Sequence, residues 1–185
     1  MEGQFRKLFD DELGRMDGEE FKRSEKLPAV VVLDNIRSGL NVGSIFRTCD
    51  AFRFEKIILC GICGTPSSAD IHKTALGAEF SMAWEYCKST VEEIVRLKRE
   101  GVHIVSVEQA ENSTKLQDLR LDRNARYAFI FGNEVDGVQQ DVLDMSDSCI
   151  EIPQFGTKHS FNVSVSAGIV CWEAAKQLIN LNPQN

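Results

Sequence analysis

Ala29-Val30-Val31-Val32-Leu33-Asp34 is an unbroken apolar run, rich in β-branched residues and closed by a carboxylate. A strand with one wet face alternates apolar and polar residues. A strand without alternation needs apolar neighbours on both faces, as in a parallel sheet covered on both sides. Similar runs recur at 56–60, 102–107, 127–131 and 149–152, with a weaker one at 82–86. Between them lie helical patterns. Residues 89–100 begin with a hydroxyl cap at Ser89 or Thr90, carry Glu92 and Glu93 in the first turn, and are followed by Gly101. A second pattern covers 42–52, and a long final helix places Val163, Ala167, Val170, Cys171, Ala174 and Leu178 on one face. Strands alternating with helices predict an α/β fold, a mostly parallel sheet with helices on both faces. Residues 112–124, mixed polar and charged, are expected to form the longest exposed loop.

Around this frame, 185 residues with 43% hydrophobic and 26% charged content describe one ordinary folded domain, which excludes disordered and fibrous classes. Phe5, Leu8, Phe9, Leu13 and Met16 recur at three- and four-residue spacings, so residues 1–26 are expected to form an amphipathic helical extension ahead of a domain over 27–185. Neither a signal-peptide core nor a run long enough to span a bilayer is seen, and the six cysteines sit mostly in apolar stretches. A reducing, cytoplasmic setting is expected. The net charge of -7 argues against indiscriminate polyanion binding held by counterion release. Residues 35–75 run against that balance, with Arg37, Arg47, Arg53, Lys56 and Lys73 outnumbering their acids. A phosphate contact is expected there.

In parallel sheets ligands bind at the carboxyl ends of the strands, and three segments following apolar runs are dense in chemistry. The first, Asn35 to Thr48, combines glycines with Asn41 and Arg47 where a helix should begin and attract an anion. Asn41 as a plain helix cap is its alternative. The second, Phe129-Ile130-Phe131-Gly132-Asn133-Glu134-Val135-Asp136-Gly137-Val138, breaks a buried strand into two closely spaced acids. That pair suits a metal or acid–base work. The alternative is a turn in which Asn133 and Asp136 bond the backbone and Gly137 supplies a positive φ. The third segment joins the last strand to the last helix and concentrates donors at Lys158, His159, Ser160 and Asn162, suited to a phosphate or oxyanion. Cys60 and Cys63 have redox or zinc spacing, but no second pair accompanies them, and a structural role is expected.

Taken together, Asn41-x-Gly43 with Arg47, then Gly132-Asn133-Glu134 with Gly137, then Ile152-Pro153 with Ser160-x-Asn162-Val163-Ser164, closely resemble the three motifs of the SpoU (TrmH) group of the SPOUT superfamily. The resemblance covers about residues 28–181. It implies an S-adenosylmethionine-dependent RNA 2′-O-methyltransferase, homodimeric, with a C-terminal deep trefoil knot and no metal. By the same resemblance Asn41, Arg47, Glu134, Ser160 and Asn162 are the catalytic set. Val107, Glu108, Gly132, Ile152 and Phe161 would hold the cofactor, and Arg37, Arg47, Arg53 and Lys158 would contact RNA. Transfer RNA is the favoured substrate and ribosomal RNA the alternative. Two further readings stand beside it: a non-catalytic cofactor- or RNA-binding scaffold, and an unrelated enzyme using Glu134 and Asp136 with a divalent cation.

Overall fold

The computed structural model describes residues 5–179. A six-residue helix α1 (Gly18–Arg23) precedes β1 (Leu27–Asp34), α2 (Gly39–Ala51), β2 (Phe54–Cys60), α3 (Ala69–Ala75), α4 (Ala78–Ser81) and β3 (Trp84–Cys87). There follow α5 (Thr90–Arg99), β4 (Val102–Val107), the two-residue β5 (Thr114–Lys115), β6 (Arg126–Gly132), α6 (Gln140–Asp144), β7 (Ser148–Glu151) and α7 (Val163–Leu178). The seven strands form one sheet in the order β3-β2-β1-β6-β4-β7-β5, every ladder parallel.

The unbroken apolar runs have the expected consequence. In β1, Val31 and Leu33 join a core with Ile45 and Phe46 of α2, Ile71 of α3 and Ala167 and Val170 of α7. Val30 and Val32 point the other way, to Ile94 and Leu97 of α5 and Val142 of α6. Helices therefore cover both faces, and β1 and β6 are buried along most of their length. Among the described residues no helix is long and apolar enough to cross a membrane.

Three local expectations are corrected. The amphipathic helix expected over 1–26 does not form in the described part, 5–26, residues 1–4 lying outside the described residues: a short 3-10 turn (Asp10–Glu12) and α1 take its place, with Phe5 90% and Phe9 71% exposed. Gly14 at φ +57 leaves the right-handed region, and a short helix with no apolar surface to rest on is marginal in water. Among the described residues of this extension only Phe21 is buried, in the main core. Second, the 112–124 loop is partly ordered by β5 against β7 and by burial of Leu116 and Leu119. Third, α2 begins at Gly39 and is capped by Ser38, whose hydroxyl accepts the Asn41 N–H at 3.3 Å. Asn41 lies inside the first turn, so its side chain is not spent on capping.

Candidate active site

The parallel sheet brings the carboxyl ends of β1, β6, β4 and β7 side by side, and the segments that follow β6, β4 and β7 line a cavity of about 470 Å³. Each loop is shaped by its own sequence. After β6, Asn133 accepts the N–H groups of Val135 and Asp136 at 2.9 Å, and its main chain pairs in both directions with Gly137. The loop closes so tightly that a Cβ on Gly132 would lie 2.0 Å from the Gly137 carbonyl carbon, and Gly137 itself sits at φ +70. Both positions require glycine. The closed turn leaves Glu134 projecting outward toward the start of α2.

There Glu134 meets the other two segments. Asn41 Nδ2 donates to Glu134 Oε1 at 2.8 Å, and Asn162 Nδ2 donates to Asn41 Oδ1 at 3.1 Å. Asn162 in turn caps α7, its Oδ1 accepting the Ser164 N–H at 2.9 Å and the Ser164 hydroxyl at 2.6 Å. A directed chain runs from α7 through Asn162 and Asn41 to one carboxylate. Burial disfavours ionised Glu134, but the Asn41 amide and the main-chain N–H groups of Arg37 and Ser38 outweigh it and hold the carboxyl below its ordinary 4.5.

All five residues expected to hold the cofactor line the cavity: Val107, Glu108, Gly132, Ile152 and Phe161. Glu134, Ser160 and Asn162 line it as well. Its wall is acidic, with Glu108, Glu134, Asp136 and Glu151, and Val107, Phe131, Ile152 and Phe161 supply apolar surface. Sequence reasoning missed Gln109, Gln154 and Ser166 in this lining. The two residues after β4 carried no motif that could have marked Gln109.

The basic residues are not brought together. Arg37 is exposed beside Glu134 and contributes its main-chain N–H to Oε2 at 3.4 Å. Arg47 is exposed on α2 and lines a second cavity, of about 570 Å³, with Ser44, Thr48, Lys73 and Thr74. Lys158 is exposed in the loop before α7. Arg53 is the exception to the expected basic face, because it occupies the turn between α2 and β2, its carbonyl accepting the Leu27 N–H where β1 begins. That is the amino end of the sheet, opposite the cavity.

Asp136 shares the cavity wall with Glu134, but among the described residues no three His, Cys, Asp or Glu side chains gather as a metal would need. Cys63 is structural, as expected, its thiol accepting the Ile36 N–H at 3.1 Å and donating to the Leu33 carbonyl at 3.2 Å.

Comparison with known proteins identifies the family. Residues 28–172 match the model of the SpoU rRNA Methylase family. The chain is 31% identical, over 84% of its length and 61% of the relative's, to the 23S rRNA (guanosine-2′-O-)-methyltransferase RlmB of Neisseria meningitidis. It is 28% identical, over 84% of its length and 72% of the relative's, to the tRNA (guanosine(18)-2′-O)-methyltransferase of Aquifex aeolicus. Among solved structures, the A. aeolicus TrmH/SpoU tRNA modifying enzyme superposes with a TM-score of 0.77 at 25% identity, covering 86% of this chain and 80% of that one. The AdoMet-bound rRNA methyltransferase of Sinorhizobium meliloti superposes at 0.75 with 27% identity, covering 85% and 62%. The chain thus spans about three fifths of RlmB and of the S. meliloti enzyme. A model match across most of the sheet and all three site-bearing segments makes this chain a member of the SpoU family of methylases.

Proposed function

We propose that this protein transfers a methyl group from S-adenosylmethionine to a ribose 2′-hydroxyl of RNA, with transfer RNA the favoured substrate. The observation that carries the reading is the hydrogen-bonded chain Asn162–Asn41–Glu134 at the mouth of a cavity lined by all five expected cofactor residues. The cavity fits the cofactor. Its volume falls within the roughly 300–1,000 Å³ of small-molecule sites, its apolar residues suit an adenine ring, and its carboxylates suit a sulfonium cation. When bound, the cofactor supplies an electrophilic methyl group.

The chain's own residues have three tasks. Gly132 and Gly137 let the loop after β6 close tightly at the cavity wall, which presents Glu134. Glu134, kept ionised and bonded through both oxygens, fixes the orientation of the Asn41 amide, and Asn41 fixes Asn162. The second hydrogen of the Asn162 amide remains available to hold the target ribose in line, and positioning alone can lower a transfer barrier substantially. Glu134 is a weak base in this setting, so its part is orientation. Arg47 binds the phosphate beside the target ribose and stabilises charge as the hydroxyl gives its proton to solvent water; a guanidinium holds its own proton too tightly to serve as the acceptor.

The division into a 1–26 extension and a 27–185 catalytic domain, a cytoplasmic location, a C-terminal trefoil knot and a homodimer belong to the same proposal. The homodimer is supported by exposed apolar residues on the α2 and α7 side: Leu40, Val165 and Trp172. The test is transfer of labelled methyl to unmodified transfer RNA and, separately, to ribosomal RNA, followed by digestion to nucleosides. A 2′-O-methylated nucleoside from transfer RNA is expected. Product from ribosomal RNA alone would overturn the substrate, and absence of product from both would overturn the activity.

A further inference from the structure

We propose that Glu108 and Gln109, the two residues that follow β4, are positioning residues that set the two loops on either side of the cavity. The inference rests on the reading of that cavity as the S-adenosylmethionine site. It assigns Glu108 a role other than direct cofactor contact, because its carboxylate is already engaged. Oε2 accepts the Val138 N–H at 3.0 Å and Oε1 accepts the Gln109 N–H at 2.8 Å. The carboxylate also lies against Gly137, where a Cβ would come within 2.2 Å of Oε2. Its main-chain N–H donates to the Ile150 carbonyl of β7 at 3.0 Å. Glu108 therefore ties the exit of the Glu134 loop to the ends of β4 and β7.

The next amide along that loop is held from the other side. Gln139 N–H donates to Asp34 Oδ2 at 3.2 Å, and Asp34 is fully buried at the end of β1, where it also accepts from Asn35 and Thr90. Since β1 and β4 flank β6, both strand neighbours send a carboxylate to consecutive N–H groups of the chain leaving β6. Gln109 does the corresponding work for the other loop: its Nε2 donates to the His159 carbonyl at 2.5 Å, one residue before Ser160 and three before Asn162. Two adjacent residues thus fix the segment that carries Glu134 and the segment that carries Asn162, whose side chains meet through Asn41.

The test is amide hydrogen exchange on the ligand-free protein, with the dissociation constant for S-adenosylmethionine measured beside it by calorimetry. In Glu108→Gln a side-chain N–H₂ replaces one acceptor, and exchange over residues 133–139 should rise about tenfold with α5 unchanged. In Gln109→Ala, a change at an exposed side chain, exchange should rise over 157–162 and not over 133–139. Each variant should weaken cofactor binding about tenfold. Weakened binding with wild-type exchange in both loops would show direct ligand contact and overturn the proposal, as would wild-type behaviour of both variants. If Glu108→Gln fails to fold, the Gln109→Ala loop pattern decides alone. A wild-type protein that does not bind S-adenosylmethionine would defeat the reading of the cavity, while the exchange pattern would still decide the positioning role.

Discussion

Asn41 is an amide whose two ends do different things: its nitrogen donates to Glu134 and its oxygen accepts from Asn162. Asn41→Asp would place a second carboxylate where an amide now sits 2.8 Å from Glu134, and like charges at that distance disfavour joint ionisation. Transfer should fall at least about a hundredfold at pH 7.5 and recover partly as pH drops toward 5, because one shared proton restores a hydrogen bond. Wild type should behave differently. Glu134 has its folded pKa depressed below 4.5, so its bonds are complete at every pH above that value and are lost only as pH falls through the lowered one. A wild-type pH–rate profile should therefore show no Glu134 inflection above pH 4.5. The cysteines give a second residue-level expectation. Burial pushes Cys63 up to about 11, and Cys49, Cys60 and Cys171 are buried as well, so a thiol reagent at pH 8 should modify at most Cys87 and Cys149 before unfolding. At this scale the motif residues were legible in sequence because their chemistry is unusual for their positions. Glu108 was legible as a cofactor candidate but not as a positioning residue, since its partners are main-chain N–H groups that leave no side-chain signature.

Element boundaries followed local chemistry where that chemistry was strong. Ser89 caps α5 by accepting the Glu92 N–H, as the hydroxyl and first-turn acids implied. The helices α3, α4 and α6 were not legible. With seven, four and five residues, they are too short to show a periodic face, and they owe their order to packing. The contact of α2 with α3 shows what such packing asks of a sequence. A Cβ on Gly43 would lie 2.2 Å from Thr74 Oγ1 and 2.3 Å from the Ile71 carbonyl oxygen, and the second of these is main chain and cannot rotate away. Gly43→Ala should therefore cost about 1–3 kcal/mol despite its better helix propensity, measured as a lowered denaturant midpoint. It should also weaken RNA binding, because Arg47 and Lys73 share the cavity between these two helices. The motif glycine is thus explained by the close contact of α2 with α3.

For the whole molecule, the parallel sheet and the burial of its central strands were legible from five apolar runs, whereas strand order depends on pairings that no local pattern encodes. The amphipathic pattern before α1 predicted a helix that the chain does not form on itself, and α2 and α7 likewise carry apolar residues that find no cover: Leu40 is 45%, Val165 49% and Trp172 50% exposed. Trp172 packs by one side on Phe52, with ring centroids 5.9 Å apart, so its orientation is fixed and its other side stays in water. Fixed, uncovered aromatic and aliphatic surface on two helices packed against each other is what a self-complementary interface requires. Sedimentation equilibrium at micromolar concentration should give twice the 20.7 kDa chain mass. A Val165→Glu, Trp172→Glu double variant places unpaired charge in that surface, while both positions are exposed enough within one chain to leave the fold intact. It should sediment as a monomer with an unchanged circular-dichroism spectrum. A variant that remained dimeric would move the interface to another face, and a monomeric wild type would remove the homodimer from the proposed function.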